Sequence, residues 1–173
     1  MSSGAMAKQD YMQRLVFIKI ILCSVLLTGV SWAGETADIH DGSAKARAAA
    51  RHFLAENAKK DGVISLPNGL QYKVIENGDG IKPVRGDRVT VQYRGTLIDG
   101  SEFESSYPTG APSTFWLEDT IPGLQEALLR MEEGAHWKVY VPARLAEGKR
   151  VALAGHVLVY DVKLIWVIPM DLS

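Results

Sequence analysis

Repeated stretches of alternating apolar residues, one short segment of helical period among them, and a hairpin-type turn predict an antiparallel α+β fold for this 173-residue chain. Strands that alternate apolar and polar side chains present one face to a core and the other to water, which antiparallel sheets tolerate and parallel ones do not. Hydrophobic content of 47% and charged content of 23% are those of an ordinary globular protein.

The first element is not part of that fold. Arg14 and Lys19 flank and enter an apolar stretch from Leu15 to Val30, which closes on Ser31-Trp32-Ala33. Small residues there suit a signal peptidase, so residues 1–33 read as a secretory signal. The run from Ile20 to Val30, broken only by small residues such as Ser24 and Thr28, is shorter than the ~20 apolar residues that span a bilayer, which argues against a retained anchor. The single cysteine, Cys23, lies inside this segment and follows Leu22, where lipid attachment needs a small residue. The exported chain is therefore expected to have neither disulfide nor thiol chemistry. Loss of Lys8, Arg14, Lys19 and Asp10 with the signal takes the formal charge from −1 to −3. No basic patch stands out, and nothing asks for nucleic acid.

Residues 34–42 are small, polar and aperiodic and read as a linker. An alanine-rich helix follows, with Ser43 as its cap and Gly62 as its stop. Its apolar face collects Ala46, Ala49, Ala50, Phe53 and Leu54. Linker and helix together occupy 34–66, and the globular domain runs from 67 to 173.

Within that domain Leu70, Tyr72 and Val74 alternate, as do Val89, Val91 and Tyr93 before Leu97. Asp99-Gly100 signals a two-residue hairpin into the strand 102–105. Phe115 and Leu117 mark a further short strand. The interior helix has Asp119 or Thr120 as cap, Pro122 in its first turn, Ile121, Leu124, Leu128 and Met131 at helical spacing, and Gly134 as its stop. Trp137, Val139 and Val141 alternate in the next strand. In the last, Leu158, Tyr160, Val162, Leu164 and Trp166 fall on one face.

Conventional catalytic groupings are missing. His40, His52, His136 and His156 have no metal-ligand spacing, and there is no nucleophile elbow, phosphate-cradling loop or cysteine nucleophile. Asp99, Glu102 and Glu104 cluster at the hairpin, where carboxylates are ordinary turn residues. No cofactor and no metal are expected.

Three segments carry a resemblance: VTVQYRGTLIDGSEFESS from Val89, IPGLQEALLRMEEGAHWKVYVP from Ile121, and LVYDVKLIWV from Leu158. In this order they resemble the FKBP-type peptidyl-prolyl cis-trans isomerases, in their secreted, Mip-like bacterial branch. The resemblance implies a twisted antiparallel sheet wrapped around one short helix, with a single apolar cleft for proline-containing unfolded or exported polypeptides. It places Tyr93, Phe103, Glu104, Ile121 and Tyr160 in the catalytic set, the backbone N–H of Ile121 holding the bound peptide's carbonyl. Phe115, Thr120, Leu124 and Glu147 fall at substrate-binding positions.

Several positions depart from the family pattern. Glu104 stands for an aspartate, Leu124 for the tryptophan of the pocket floor, and Glu147 for a tyrosine whose hydroxyl meets the ligand. The segment from Gly148 to Tyr160 is about four residues short, with Lys149–Gly155 in place of an aliphatic-proline-proline wall. The stretch from Phe53 to Ile75 resembles the end of a longer helical arm that pairs two chains in such proteins, so the resemblance implies a possible homodimer through a shortened arm. The expectation is an exported prolyl isomerase, periplasmic or secreted, with activity reduced by these departures. The competing expectation is a non-catalytic chaperone or peptide-binding module that uses the same cleft.

Overall fold

The computed structural model describes residues 35–146 and 155–170, with side chains from residue 44 onward. Residues 1–33, expected to be a signal, Glu147 and most of the stretch after it lie outside the described residues. Residues 37–173 form one compact unit.

A helix α1 (Glu35–Asn57) leads into strands β1 (Val63–Ser65), β2 (Gln71–Glu76), β3 (Arg88–Thr96), β4 (Glu102–Ser105) and β5 (Ser113–Trp116). A second helix, α2 (Pro122–Leu128), then precedes β6 (His136–Val141) and β7 (Leu158–Ile168). All the strand pairs are antiparallel, in the order β1-β2-β6-β7-β3-β4. Along its other edge β3 is shared, its first half by β5 and its second half by β4. The α+β architecture expected from the alternating runs is the one found.

Five local expectations are corrected. The helix begins at Glu35, so residues 35–42 are helical rather than linker. Gly42 costs about 1 kcal/mol relative to alanine inside a helix, which the alanine-rich run after it offsets. The cap of α2 is Ile121, not Asp119 or Thr120. Pro122 forces the residue before it out of the helical region, and Ile121 is extended, with φ −67° and ψ 149°. This helix also stops at Leu128, where tight turns from Arg130 to Ala127 and from Met131 to Leu128 end it before Gly134.

The hairpin after β3 has a three-residue loop. Gly100 donates to the Leu97 carbonyl, and its φ of 89° puts the glycine in the left-handed position that such loops require. Finally, Trp166 is 63% exposed although it continues the apolar alternation of β7. A bulge sets Thr90 opposite Trp166 but Val91 opposite Leu164, so Ile165 is an extra residue and the inward phase passes to Val167.

Two cores lie on opposite faces of the sheet, because successive strand residues point to opposite sides. Val139, Tyr160, Val162 and Leu164 face the larger core and pack with Leu124, Leu128 and Met131. Tyr72 and Trp137 stack beside it, with ring centroids 4.4 Å apart. Their neighbours Tyr140 and Val159 point the other way and meet Ala50, Phe53 and Leu54 of α1. The end of α1 is thus docked on the sheet rather than solvated. Buried Asn57 completes the contact by donating to the Gln71 side chain at 3.0 Å, and the Gln71 amide donates to the Leu54 carbonyl at 2.9 Å.

Burial pushes the Tyr140 hydroxyl above its usual pKa of 10.0, and its hydrogen bond with Asn57 pulls it partly back. A group whose pKa is raised by folding contributes stability that is full below its unfolded pKa and lost as pH rises through the folded one. Stability is therefore expected to fall above about pH 10. Tyr140→Phe should flatten that alkaline loss when urea midpoints are compared at neutral and alkaline pH. An unchanged slope would assign the loss to other groups.

Among the described residues no helix is long and apolar enough to cross a membrane, and no cluster of ligating side chains could hold a metal ion.

Candidate functional site

The interior of the sheet does not fill completely. Between α2, the ends of β3, β4 and β7, and β5 lies a cavity of about 470 Å³. Its walls are mostly apolar: Ile121 and Leu124 come from α2 and its cap, Phe115 from β5, Tyr93 from β3, and Leu158 and Tyr160 from β7. Polar atoms enter at a few points, from Glu104, Asp119 and Thr120. A concave apolar site with few polar groups is the usual form of a ligand pocket.

Each wall has a local cause. The 3₁₀ turn Leu117–Asp119 precedes α2, and the Leu117 N–H donates to the Asp87 carbonyl at 3.0 Å. The Asp87 side chain is itself buried and accepts from the N–H groups of Val84 and Met170, at 2.8 and 3.2 Å. This braced turn delivers Asp119, Thr120 and Ile121 to the rim. Helix α2 then approaches the sheet closely through Gly123, where a Cβ would lie 2.4 Å from Val141 Cγ1. That approach sets the depth of Leu124, which is 3% exposed.

Tyr93 is held by Ser106, whose hydroxyl accepts the Tyr93 N–H at 2.9 Å and whose own N–H donates to the Tyr93 carbonyl at 3.0 Å. The Tyr160 ring lies 6.3 Å from that of Tyr93 and meets Phe103 edge to face, with centroids 5.7 Å apart. Its hydroxyl donates to Glu104 Oε1 at 2.6 Å.

The structure therefore brings Tyr93, Glu104, Phe115, Thr120, Ile121, Leu124 and Tyr160 to one cavity. Phe103 stands behind the wall, against Tyr160, rather than on the cavity surface. Glu147 lies outside the described residues. Asp119, Ala146 and Leu158 also line the cavity and were not singled out from sequence. Asp119 reads as a cap and Leu158 as strand core, and only their proximity to Thr120 and Tyr160 pointed to the site.

Residues 79–165 match the family described as FKBP-type peptidyl-prolyl cis-trans isomerase, and residues 33–74 match the domain amino terminal to FKBP-type peptidyl-prolyl isomerase. The chain is 49% identical over 119 residues to the peptidyl-prolyl cis-trans isomerase Mip of Coxiella burnetii, covering 66% of this chain and 52% of that protein. It is 46% identical over 118 residues to the outer membrane protein MIP of Legionella longbeachae, covering 68% and 51%. The chain thus spans about half the length of these curated relatives. The crystal structure of FkpA from Escherichia coli superposes with a TM-score of 0.74 at 32% identity, over 97% of this chain and 74% of that one. For the peptidyl-prolyl isomerase of Pseudomonas syringae the TM-score is 0.67 at 34% identity, over 73% of this chain and 96% of that one. A match across half of its length, and a solved isomerase covered almost end to end, make this chain a member of the FKBP-type peptidyl-prolyl cis-trans isomerase family.

Proposed function

We propose that the protein is an exported peptidyl-prolyl cis-trans isomerase that acts on X–Pro bonds of unfolded polypeptides. The observation that carries this reading is the apolar cleft of about 470 Å³ walled by Tyr93, Phe115, Ile121, Leu124 and Tyr160, in a chain of this family.

The reaction needs no nucleophile. Rotation about a peptide bond is opposed by a barrier of ~18–20 kcal/mol because the C–N bond has partial double-bond character. A twisted amide has lost that resonance and carries less charge separation, so a dry apolar site favours it over the planar ground state. In this reading Tyr93, Phe115, Leu124 and Tyr160 enclose the proline ring. The Ile121 N–H, at the mouth of α2, donates to a substrate carbonyl, with Thr120 beside it. Glu104 and Phe103 hold the wall around Tyr160, and Glu147 keeps the substrate-binding role that the family resemblance implies. Leu124 encloses less of the proline than a large flat side chain would, which is consistent with a slower enzyme.

Export to the periplasm or beyond belongs to the proposal. It is supported by the apolar segment ending in Ser31-Trp32-Ala33 and by the outer membrane protein named among the relatives. A homodimer is proposed on the match of residues 33–74 to the domain amino terminal to such isomerases.

The test is an isomerisation assay on the purified protein with short peptides that differ before proline. Uncatalysed exchange takes tens to hundreds of seconds, so acceleration is readily seen. Clear acceleration supports the enzyme. None from a folded sample would leave the second reading, a peptide-binding or chaperone module, which the leucine floor and the carboxylates at the cleft favour.

A further inference from the structure

Gly95 lies at the centre of a cross-strand row. Strand β3 pairs it with Glu104 of β4 on one side and with Tyr160 of β7 on the other. Residues opposite one another in a sheet project to the same face, so a side chain at 95 would rise between the other two. Neighbouring strands lie ~4.8 Å apart, which puts β4 and β7 roughly 10 Å from each other across β3. The Glu104 carboxylate nevertheless meets the Tyr160 hydroxyl at 2.6 Å.

The path over β3 is open because residue 95 has no Cβ. One built there would lie 3.1 Å from Glu104 Cγ, and 2.7 and 3.0 Å from Cζ and Cε2 of Phe103. Backbone conformation is not the reason for the glycine, since Gly95 is not among the residues with positive φ. The register adds to this. Gly95 faces Glu104 but Thr96 faces Glu102, so Phe103 is a bulged residue. A bulge lets two consecutive residues leave strict alternation, and both Phe103 and Glu104 turn to Tyr160.

We infer that Gly95 is a positioning residue for the isomerase reaction: its missing side chain is the opening through which Glu104 reaches Tyr160, and that bond fixes carboxylate and phenol on the cleft wall. The inference rests on the proposed reaction taking place in this cleft, while the bond can be read without it. The glutamate also gains a reason, because an aspartate is one methylene too short to cross β3.

The experiment is NMR of the protein labelled at the tyrosine ζ carbon, with the Tyr160 resonance assigned through Tyr160→Phe, alongside peptide isomerisation. Gly95→Ala is expected to move the Tyr160 resonance in the same direction as Glu104→Ala and to lower kcat/KM at least about tenfold. Glu104→Asp leaves the glycine in place and should move the resonance likewise, so it carries the test if Gly95→Ala does not fold. An unmoved resonance in folded Gly95→Ala or in Glu104→Asp would overturn the opening. A moved resonance with unchanged kcat/KM would overturn the positioning role. A wild-type protein that does not isomerise would instead retire the reaction, and Gly95's part in it, with the resonance shift still reporting the bond.

Discussion

Tyr160→Ala is expected to lose about 3–5 kcal/mol of folding stability and to remove any acceleration of X–Pro exchange. The ring is 2% exposed and belongs to the main core. Truncation removes its transfer free energy, leaves a void beneath the cleft, and breaks two aromatic contacts, to Phe103 and Tyr93. Such pairs contribute about 0.5–1.5 kcal/mol each beyond area burial. Tyr160→Phe separates packing from polarity. It keeps the ring and loses the hydroxyl with its bond to Glu104, so stability should fall far less while the isomerase rate still drops. Urea midpoints and peptide kinetics on both variants check this. A loss below about 1 kcal/mol for the alanine variant would mean that the ring is not the packed wall described.

Gly123→Ala is expected to destabilise although it improves the helix. Alanine gains about 1 kcal/mol over glycine in a helix interior. Against that, the new Cβ would sit 2.4 Å from Val141 Cγ1 and 3.2 Å from both Val141 Cγ2 and Leu145 Cβ. Val141 is fully buried on β6, opposite Leu158 of β7, so it cannot yield by rotating into open space. Overpacking of this kind costs about 1–3 kcal/mol, occasionally more, and forces α2 outward. The net expectation is a loss of roughly 1–2 kcal/mol, together with a shallower seat for Ile121 and Leu124 and weaker peptide binding. A gain in stability, measured by thermal or urea unfolding, would show that α2 can retreat without strain.

Much of the cleft was legible in the sequence because its side chains are also the inward residues of their strands. Tyr93 lies between Gln92 and Arg94, Tyr160 shares the inward phase of Leu158, Val162 and Leu164, and Ile121 and Leu124 are spaced as in a helix around Pro122. Resemblance to a family, rather than periodicity, singled them out from the rest of the core. What stayed hidden depends on pairing between distant segments. Periodicity carried Trp166 inward, and only the bulge at Ile165 turns it out. Asp119 and Leu158 have no sequence mark that separates a cleft rim from a cap or a core strand.

By itself the sequence determined the fold class, the order of the strands after Leu66, the hydrophobic set and the absence of nucleophile motifs, because alternation, turn chemistry and residue type are local properties. The short strand β1 before them had no such mark. Tertiary structure alone decided which residues share a row. Glu104, Gly95 and Tyr160 are brought side by side by strand register, and register is a contact between segments far apart in the chain. The same holds for α1. From sequence its alanine-rich stretch reads only as a helix resembling part of a pairing arm, and it is the bonds of buried Asn57 and Gln71 that join its end to the sheet.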